Sequence, residues 1–312
     1  KIAFFTEGGY SGRVPRTAPM RTDQAWVCAL DAVHHCVFQL ENMTESYDIG
    51  VVIIPKEKNR EHLASKNYPL ISTIRNYCKK VIIMQEGCHW DWMEDPVNTM
   101  VWFYNQLLEA DMILCHNDAD VKYYQGITDK KCMVLPTLMI EDNITVAKQE
   151  DRVFVAGNWH LTYRGFDAWV ISNEFQLPKY GFKAGKYKDG EDINGINHLP
   201  WMDWFTFMLE LSKCKYGIQT YQSSAGQFPL NCGYLGIPCI GYDDVNTQKH
   251  LFPNLSVERG DIVSARKIAQ KLQTDSKFYS DVSNHAKKEY KKLYSEEVFL
   301  ENWNKIIKKL YL

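Results

Sequence analysis

The sequence predicts an α/β protein made of two doubly wound, Rossmann-like domains that face a cleft. Short aliphatic runs alternate with longer segments of helical period, as expected for parallel strands joined by crossover helices. The aliphatic runs are almost unbroken, which is typical of strands buried on both faces. The alternation also restarts near residue 151 of the 312-residue chain, which is long enough for two domains.

The predicted elements follow the same order in each half of the chain. In the first half we predict strands at 1–6, 49–55, 81–84, 112–115 and 133–135, with helices at about 22–33, 70–78 and 99–108. In the second half we predict strands at 152–156, 216–220 and 239–241, with helices at about 165–173, 261–273 and 281–310. The polar, aperiodic stretch 137–150 predicts an N-terminal domain at 1–145 and a C-terminal domain at 146–312, with the alternative that the last helix crosses back.

Composition excludes several classes of protein. The chain is 45% hydrophobic and 24% charged, which argues against disorder. Its net charge of −2 means that a nucleic-acid partner would need a local basic patch. None of the nine cysteines forms a Cys-x-x-Cys pair and most lie in apolar runs, so we expect buried thiols in the reducing cytoplasm. We also expect no transmembrane segment, because no apolar run reaches about 18 residues.

The most informative segment follows the strand predicted at 216–220. A loop of small residues leads into a short helix, a Gly-Ile-Pro turn and a buried strand; the loop consists of Ser223, Ser224, Ala225 and Gly226. Backbone N–H groups at such a helix start, with its partial positive charge, suit a diphosphate. Asn231 lies eight residues after Ser223, where the ribose of a bound nucleotide would lie.

This segment resembles the donor-binding motif of GT-B glycosyltransferases, where many members have two glutamates eight residues apart before the Gly-x-Pro turn. Aligned on Gly236-Ile237-Pro238, the glutamates fall on Ser223 and Asn231. The resemblance implies a nucleotide-sugar donor held at this loop, with Asn231 at a ribose hydroxyl and Ser223 at a phosphate or the sugar. Because both acids are replaced, it does not imply retaining stereochemistry.

A second segment resembles the same families. A strand ends at Gly157-Asn158, and a basic residue, Arg164, precedes the glycine that opens the next helix. The resemblance implies that Arg164 neutralises the donor diphosphate, which suits the planar fork of arginine. It also places Lys186 and His198 near the nucleobase, where Trp201 would pack. The alternative for Arg164 is a surface cation at a helix start.

The first predicted strand is followed by a loop that we assign to the acceptor. Its glycines, Gly8 and Gly9, allow close approach of a ligand to the backbone. The loop carries three arginines against a single Glu7; these are Arg13, Arg16 and Arg21. Such a cluster suits the phosphates of a nucleic acid or of the donor. The alternative is a solvated loop without function.

The loop after the strand at 81–84 holds the candidate catalytic bases, which are Glu86, His89 and Asp91. We rank Asp91 first, because Trp90 and Trp92 would give it apolar walls that favour proton uptake by a carboxylate. The two tryptophans would also stack on a base or a sugar. In the alternative, both indoles lie in the core and Asp91 caps the next helix.

The loop at 116–120 contains Asp118 and Asp120, spaced as in some metal sites. We instead expect these residues to cap the helix that contains residues 121–125. The GT-B resemblance implies no required metal and no cofactor apart from the UDP-sugar as co-substrate.

Residues 1–35 resemble bacteriophage glycosyltransferases that modify hydroxymethylated cytosine, through the segment from Phe4 to Trp26. The resemblance implies a UDP-sugar donor, the cytoplasm of an infected host, and double-stranded DNA with hydroxymethylated bases as acceptor, the target base being flipped out. Two alternatives stay open. One is a transferase acting on a cell-surface glycan or a small molecule. The other is a catalytically silent nucleotide-sugar-binding protein, suggested by the replaced glutamates.

Overall fold

The computed structural model describes residues 1–8, 11–20, 22–156, 165–182, 195–220 and 225–312. These residues form two compact units. Unit 1 contains Lys1–Ile140 together with Glu296–Leu312, and unit 2 contains Glu141–Ser295. The division at residue 140 lies a few residues before the boundary that we expected from the polar stretch 137–150.

Unit 1 alternates strands and helices. Its elements are β1 (Ile2–Thr6), α1 (Thr22–Ala29), β2 (Val33–Cys36), β3 (Tyr47–Ile53), α2 (Glu57–Ser65), α3 (Leu70–Arg75), β4 (Cys78–Gln85), α4 (Val97–Glu109), β5 (Met112–Cys115), α5 (Asp118–Ile127) and β6 (Lys131–Val134). The strands form a parallel sheet of order β2-β1-β3-β4-β5-β6. Successive residues enter opposite core layers: Phe5 and Ile83 lie on one face of the sheet, and Phe4 and Ile82 on the other.

The edge strand β2 was not predicted from the sequence. The helix predicted to reach residue 33 ends at Ala29. Asp31 then adopts a left-handed backbone with φ of 46°, which turns the chain away from the helix. The strand itself contains two histidines, so it lacks the aliphatic run by which the other strands were recognised. His34 is buried, and its Nε2 lies 2.6 Å from the hydroxyl of Thr6 on β1.

Unit 2 repeats this architecture. Its elements are β7 (Val153–Val155), α6 (Gly165–Ser172), β8 (Lys179–Phe182), β9 (Ile196–Leu199), α7 (Trp204–Ser212), β10 (Tyr216–Gln219), α8 (Gln227–Leu235), β11 (Cys239–Tyr242), α9 (Asn246–Leu251), β12 (Ser256–Val257), α10 (Ile262–Thr274) and α11 (Ser276–Tyr294). In the described residues, the strands form a parallel sheet of order β12-β11-β10-β7-β8-β9. The two parallel sheets with interleaved helices confirm the predicted α/β fold class.

The helix predicted at 281–310 is two helices. Helix α11 ends at Tyr294, and Ser295 is extended before α12 (Glu296–Leu310) begins. One face of α12 is buried in the core of unit 1, through Phe299, Trp303 and Ile306. The last helix therefore packs with the first unit. All nine cysteines are free thiols, and seven of them are buried. Among the described residues, no helix is both long and apolar enough to span a bilayer.

Candidate functional site

Charged side chains from three strands of unit 1 meet at the carboxyl edge of its sheet. Lys56 lies just after β3, and its Nζ is 2.8 Å from Oε2 of Glu86, which directly follows β4. The backbone N–H of Lys56 and the side-chain amide of Asn59 both donate to Oε2 of Glu7, which follows β1. Ligands bind doubly wound sheets at this edge. Glu86, one of the predicted bases, is therefore held in an ion pair.

In the loop after β4, His89 is held by hydrogen bonds and by two aromatic rings. Its Nδ1 donates to Oδ1 of Asp120 at 2.9 Å, and its backbone N–H donates to the same oxygen at 3.0 Å. The amide of Asn117 donates to Oδ2 of Asp120 at 3.1 Å. The imidazole stacks on Tyr123, with ring centroids 4.4 Å apart, and Trp90 packs edge-on against it. A buried carboxylate thus orients an imidazole, an arrangement common around catalytic histidines.

The role expected of Asp120 needs correction. Helix α5 begins at Asp118 and contains residues 121–125, but Asn117 is in the capping position and there is no side-chain capping bond. Asp120 lies in the first helical turn, is 2% exposed, and directs its carboxylate at His89 and Asn117. Within the described ranges, no group of three or more His, Cys, Asp or Glu side chains is arranged to hold a metal ion.

Asp91 and Trp92 also lie in surroundings that differ from those expected. The Asp91 carboxylate accepts a hydrogen bond from the Cys88 thiol, and it packs so closely on Gly87 that a Cβ there would overlap Oδ2. Trp92 is only 9% exposed and packs on Phe103. Its indole belongs to the core, which corrects its assignment to acceptor stacking. Asp91 does not cap α4, because that helix begins at Val97 after Pro96.

Two arginines of the first loop, Arg13 and Arg16, are exposed but paired. Arg13 lies 2.6 Å from Asp31, with about two-thirds or more of both side chains exposed, and Arg16 makes two bonds of 2.8 Å to the carboxylate of Glu296. Exposed pairs of this kind contribute about 0–1 kcal/mol, so a phosphate can replace the carboxylate at little cost. The N–H of Gly8 donates to the Thr6 hydroxyl. Gly9 and Arg21 lie outside the described residues.

In unit 2, Gly226 forms the start of α8. It has a left-handed backbone with φ of 71°, and its carbonyl accepts a hydrogen bond of 2.8 Å from the Thr247 hydroxyl. Ala225 precedes it, partly buried, and Ser223 and Ser224 lie outside the described residues. Asn231 is 1% exposed, and its amide oxygen accepts from Gln227. A side-chain amide has a second lone pair and two N–H donors, so this bond leaves Asn231 groups for the expected ribose contact, which stays a prediction.

The other predicted donor residues are less fully described. Gly157, Asn158, Arg164 and Lys186 lie outside the described residues, although α6 begins at Gly165, as predicted. His198 lies on β9, and its Nδ1 donates to the Phe182 carbonyl at 3.1 Å. Trp201 follows β9, is 78% exposed, and lies 6.0 Å from the Phe182 ring. Trp201 and Phe182 thus form an aromatic surface at this end of β9, and its contact with a nucleobase stays a prediction.

No protein-family model and no curated protein sequence matches the chain. Solved structures do. The sucrose-phosphate synthase of Thermosynechococcus elongatus matches with a TM-score of 0.70 and 10% identity, over 99% of this chain and 98% of that one. HepE of Anabaena in complex with UDP matches with a TM-score of 0.68 and 10% identity, over 99% and 100%. The chain has the GT-B fold.

A third GT-B structure is longer than this protein. TarM of S. aureus, in a complex that includes UDP, matches with a TM-score of 0.65 and 12% identity over 86% of this chain. The chain spans 57% of the length of TarM. In the present protein, Glu7 and Glu86 directly follow β1 and β4, and Trp201 follows β9, at the carboxyl ends of strands where ligands bind.

His116 is a residue at this edge of the GT-B fold that the sequence did not single out. It directly follows β5, is 3% exposed, and stacks on Trp26 with ring centroids 5.2 Å apart. Neither ring nitrogen makes a well-aligned hydrogen bond with any of the described residues. Burial lowers the pKa of His116 from 6.5 to about 4, although Glu86 and Asp120 oppose the shift. A single histidine after a strand does not indicate from the sequence alone that its side chain is buried.

We expect this histidine to make the protein sensitive to acid. Between pH 6.5 and pH 4 the unfolded chain binds a proton at His116 and the folded chain does not. The free energy of unfolding is therefore unaffected by His116 above pH 6.5. It falls as the pH is lowered, by about 3 kcal/mol in total. Urea denaturation at pH 7 and pH 4.5 should show a smaller loss of unfolding free energy for His116→Gln than for the wild type. Equal losses in the two proteins would contradict this expectation.

Proposed function

We propose that the protein is a glycosyltransferase that takes its sugar from a UDP-sugar bound on unit 2. The observation that carries the proposal is helix α8, which starts at the left-handed Gly226 after β10, at the edge of a GT-B sheet where ligands bind. Backbone N–H groups and the helix dipole at such a start stabilise a diphosphate. The complexes of HepE and TarM with UDP support a uridine nucleotide as donor.

Arg164 is the cation that we assign to the donor diphosphate. We expect Arg164→Ala to weaken UDP binding at least about tenfold, or about 1.4 kcal/mol, in isothermal titration calorimetry. Arg266→Ala is the matched control, because Arg266 is an exposed arginine of α10 that pairs with Glu174. Unchanged affinity in the Arg164 variant would remove this residue from the site.

We further propose that the acceptor is the hydroxymethyl group of a modified base in double-stranded phage DNA. The resemblance of residues 1–35 to phage transferases supports this acceptor, and so do Arg13 and Arg16, which are exposed on the loop after β1. The free thiols fit a protein of the host cytoplasm. A base has to leave the stack for its hydroxymethyl group to reach a sugar.

Incubation of the protein with UDP-glucose or UDP-arabinose and a hydroxymethylcytosine duplex tests this proposal. A labelled DNA product is the expected result. Donor hydrolysis without DNA transfer would favour a glycan or small-molecule acceptor and contradict the DNA acceptor. Donor binding without turnover would favour a silent binding protein and contradict the enzyme.

Replacing Arg13 and Arg16 together by alanine should weaken DNA binding and flatten its dependence on salt. For each phosphate that the variant no longer neutralises, the slope of log K against log salt should become shallower by about 0.9. Lys79 and Lys80 begin β4 at the opposite edge of the same sheet, so their double alanine variant is the control. An unaltered slope in the arginine variant would exclude the loop from DNA binding.

A further inference from the structure

We propose that transfer inverts the configuration of the sugar, with Nε2 of His89 as the base that deprotonates the acceptor and Asp120 as the residue that positions it. This inference rests on the proposed function, because it concerns the mechanism of the sugar transfer proposed above. It makes His89, rather than Asp91, the catalytic residue among the three candidates of the loop after β4.

The hydrogen bonds of His89 leave its other ring nitrogen, Nε2, as the basic atom. Asp120 is a carboxylate acceptor 2.9 Å from Nδ1, so the proton of the neutral ring is held on Nδ1. The lone pair is then on Nε2. The His89 side chain is 22% exposed, and Nε2 makes no hydrogen bond with any residue in the described part of the chain. This nitrogen is accessible to an acceptor hydroxyl.

The ring is held before any substrate binds. Oδ1 of Asp120 binds both the ring and the backbone N–H of His89, while Tyr123 stacks on the imidazole and Trp90 packs edge-on against it. The Asp120 side chain is only 3% exposed, and Asn117 fixes its second oxygen. A base whose rotamer is fixed by packing and by outer hydrogen bonds loses little entropy when it acts.

The competing bases are engaged elsewhere. Glu86 pairs with the ammonium of Lys56 at 2.8 Å. Asp91 accepts from the Cys88 thiol and is packed against the backbone of Gly87. His89 is therefore the candidate whose proton-accepting atom has no partner among the described residues.

A base on the acceptor suits a single displacement at the sugar. The acceptor oxygen attacks the anomeric carbon as the bond from that carbon to the diphosphate oxygen breaks. The bonding pair leaves with UDP, and the acceptor proton moves to Nε2 of His89. The Asp120 carboxylate stabilises the imidazolium that forms. One displacement inverts the anomeric carbon, so an α-linked UDP-sugar yields a β-linked product.

The alternative mechanism is two successive displacements, which retain the configuration and need a carboxylate nucleophile. At the two aligned motif positions, unit 2 has no carboxylate. The two glutamates are replaced by Ser223 and Asn231. Asn231 is neutral, is 1% exposed, and is bound to Gln227. An amide does not replace a carboxylate as nucleophile towards a sugar.

Proton NMR of the product formed from UDP-glucose measures the configuration directly. We expect a β-anomer, either on the hydroxymethylcytosine duplex or, where water is the acceptor, as β-glucose in the first spectra before mutarotation. An α-anomer would overturn the inference while leaving the transferase proposal intact. The absence of both products would overturn the transferase proposal itself, and the inference with it.

Variants test the two residues separately. We expect His89→Gln to lower kcat at least about 100-fold with the UDP affinity unchanged. Asp120→Asn keeps an oxygen facing His89 but removes the charge, and should lower kcat about 10–100-fold. The double variant should be no slower than His89→Gln alone. His62→Gln, at an exposed histidine of α2, is the control, and thermal melting establishes that each variant folds. Full activity of His89→Gln, or a larger loss in Asp91→Asn, would overturn the assignment.

Discussion

Replacing Gly226 by alanine is expected to lower the free energy of unfolding of unit 2 by about 4 kcal/mol and to weaken UDP binding at least about tenfold. Two effects add. The backbone of Gly226 has φ of 71°, a conformation that strains alanine. An added Cβ would also overlap the hydroxyl and methyl groups of Thr247, whose hydroxyl binds the Gly226 carbonyl. Relief of this overlap requires the buried Thr247 side chain to rotate and give up its bond to Gly226, or the start of α8, where we place the diphosphate, to move.

Gly260→Ala separates the two effects. Gly260 also has a positive φ, of 85°, but a Cβ there would meet no atom within 4 Å. This variant should show the backbone strain alone, about 1 kcal/mol, with unchanged UDP affinity. Urea denaturation and calorimetric titration measure both quantities. Similar behaviour of the two alanine variants would contradict the account of the α8 start.

Replacing Arg60 by methionine should destabilise unit 1 by about 3–5 kcal/mol, because it leaves a buried carboxylate without its counter-charge. Arg60 lies on α2, with Nε 2.6 Å from Oδ2 of Asp95, and the two side chains are 5% and 10% exposed. The guanidinium also lies over the Phe103 ring. Asp95 lies in the same loop after β4 as His89. We therefore expect the variant to reduce sugar transfer as well as stability.

The double variant Arg60→Met with Asp95→Leu provides the control. It removes both charges, so it should recover most of the lost stability, as replacement of a buried ion pair by apolar residues often does. Lys79→Ala breaks the exposed pair with Asp48 and should change the unfolding free energy by less than about 1 kcal/mol. A double variant as unstable as Arg60→Met would show that the buried charge is not the cause.

The fold class could be predicted because buried parallel strands leave continuous aliphatic runs. Strands β3, β4 and β5 were found in this way. Strands β2 and β9 each carry histidine or asparagine within four residues, so no such run marks them. The single long helix expected at the C-terminus is interrupted at Ser295, a residue that also occurs within helices. The sequence has no proline or glycine there to indicate the break.

The candidate site was predicted less completely, because its contacts join residues that are distant in sequence. The sequence predicts His89 as one of three candidate bases, but its partner Asp120 is 31 residues away, on the helix after the neighbouring strand. The aspartate pattern alone suggested a cap. The sequence places Trp92 in a loop after a strand, which suggested contact with the acceptor. In the structure the indole packs against Phe103, a contact that the sequence does not show. Arg13 and Arg16 were recognised by composition, whereas their partners Asp31 and Glu296 were not.

A crystal structure of the full chain soaked with UDP tests the central claim most directly. We expect the diphosphate at the amino end of α8, beside Gly226, with the guanidinium of Arg164 on its oxygens. A nucleotide bound elsewhere, or an α8 start that stays free of nucleotide at saturating UDP, would contradict the account.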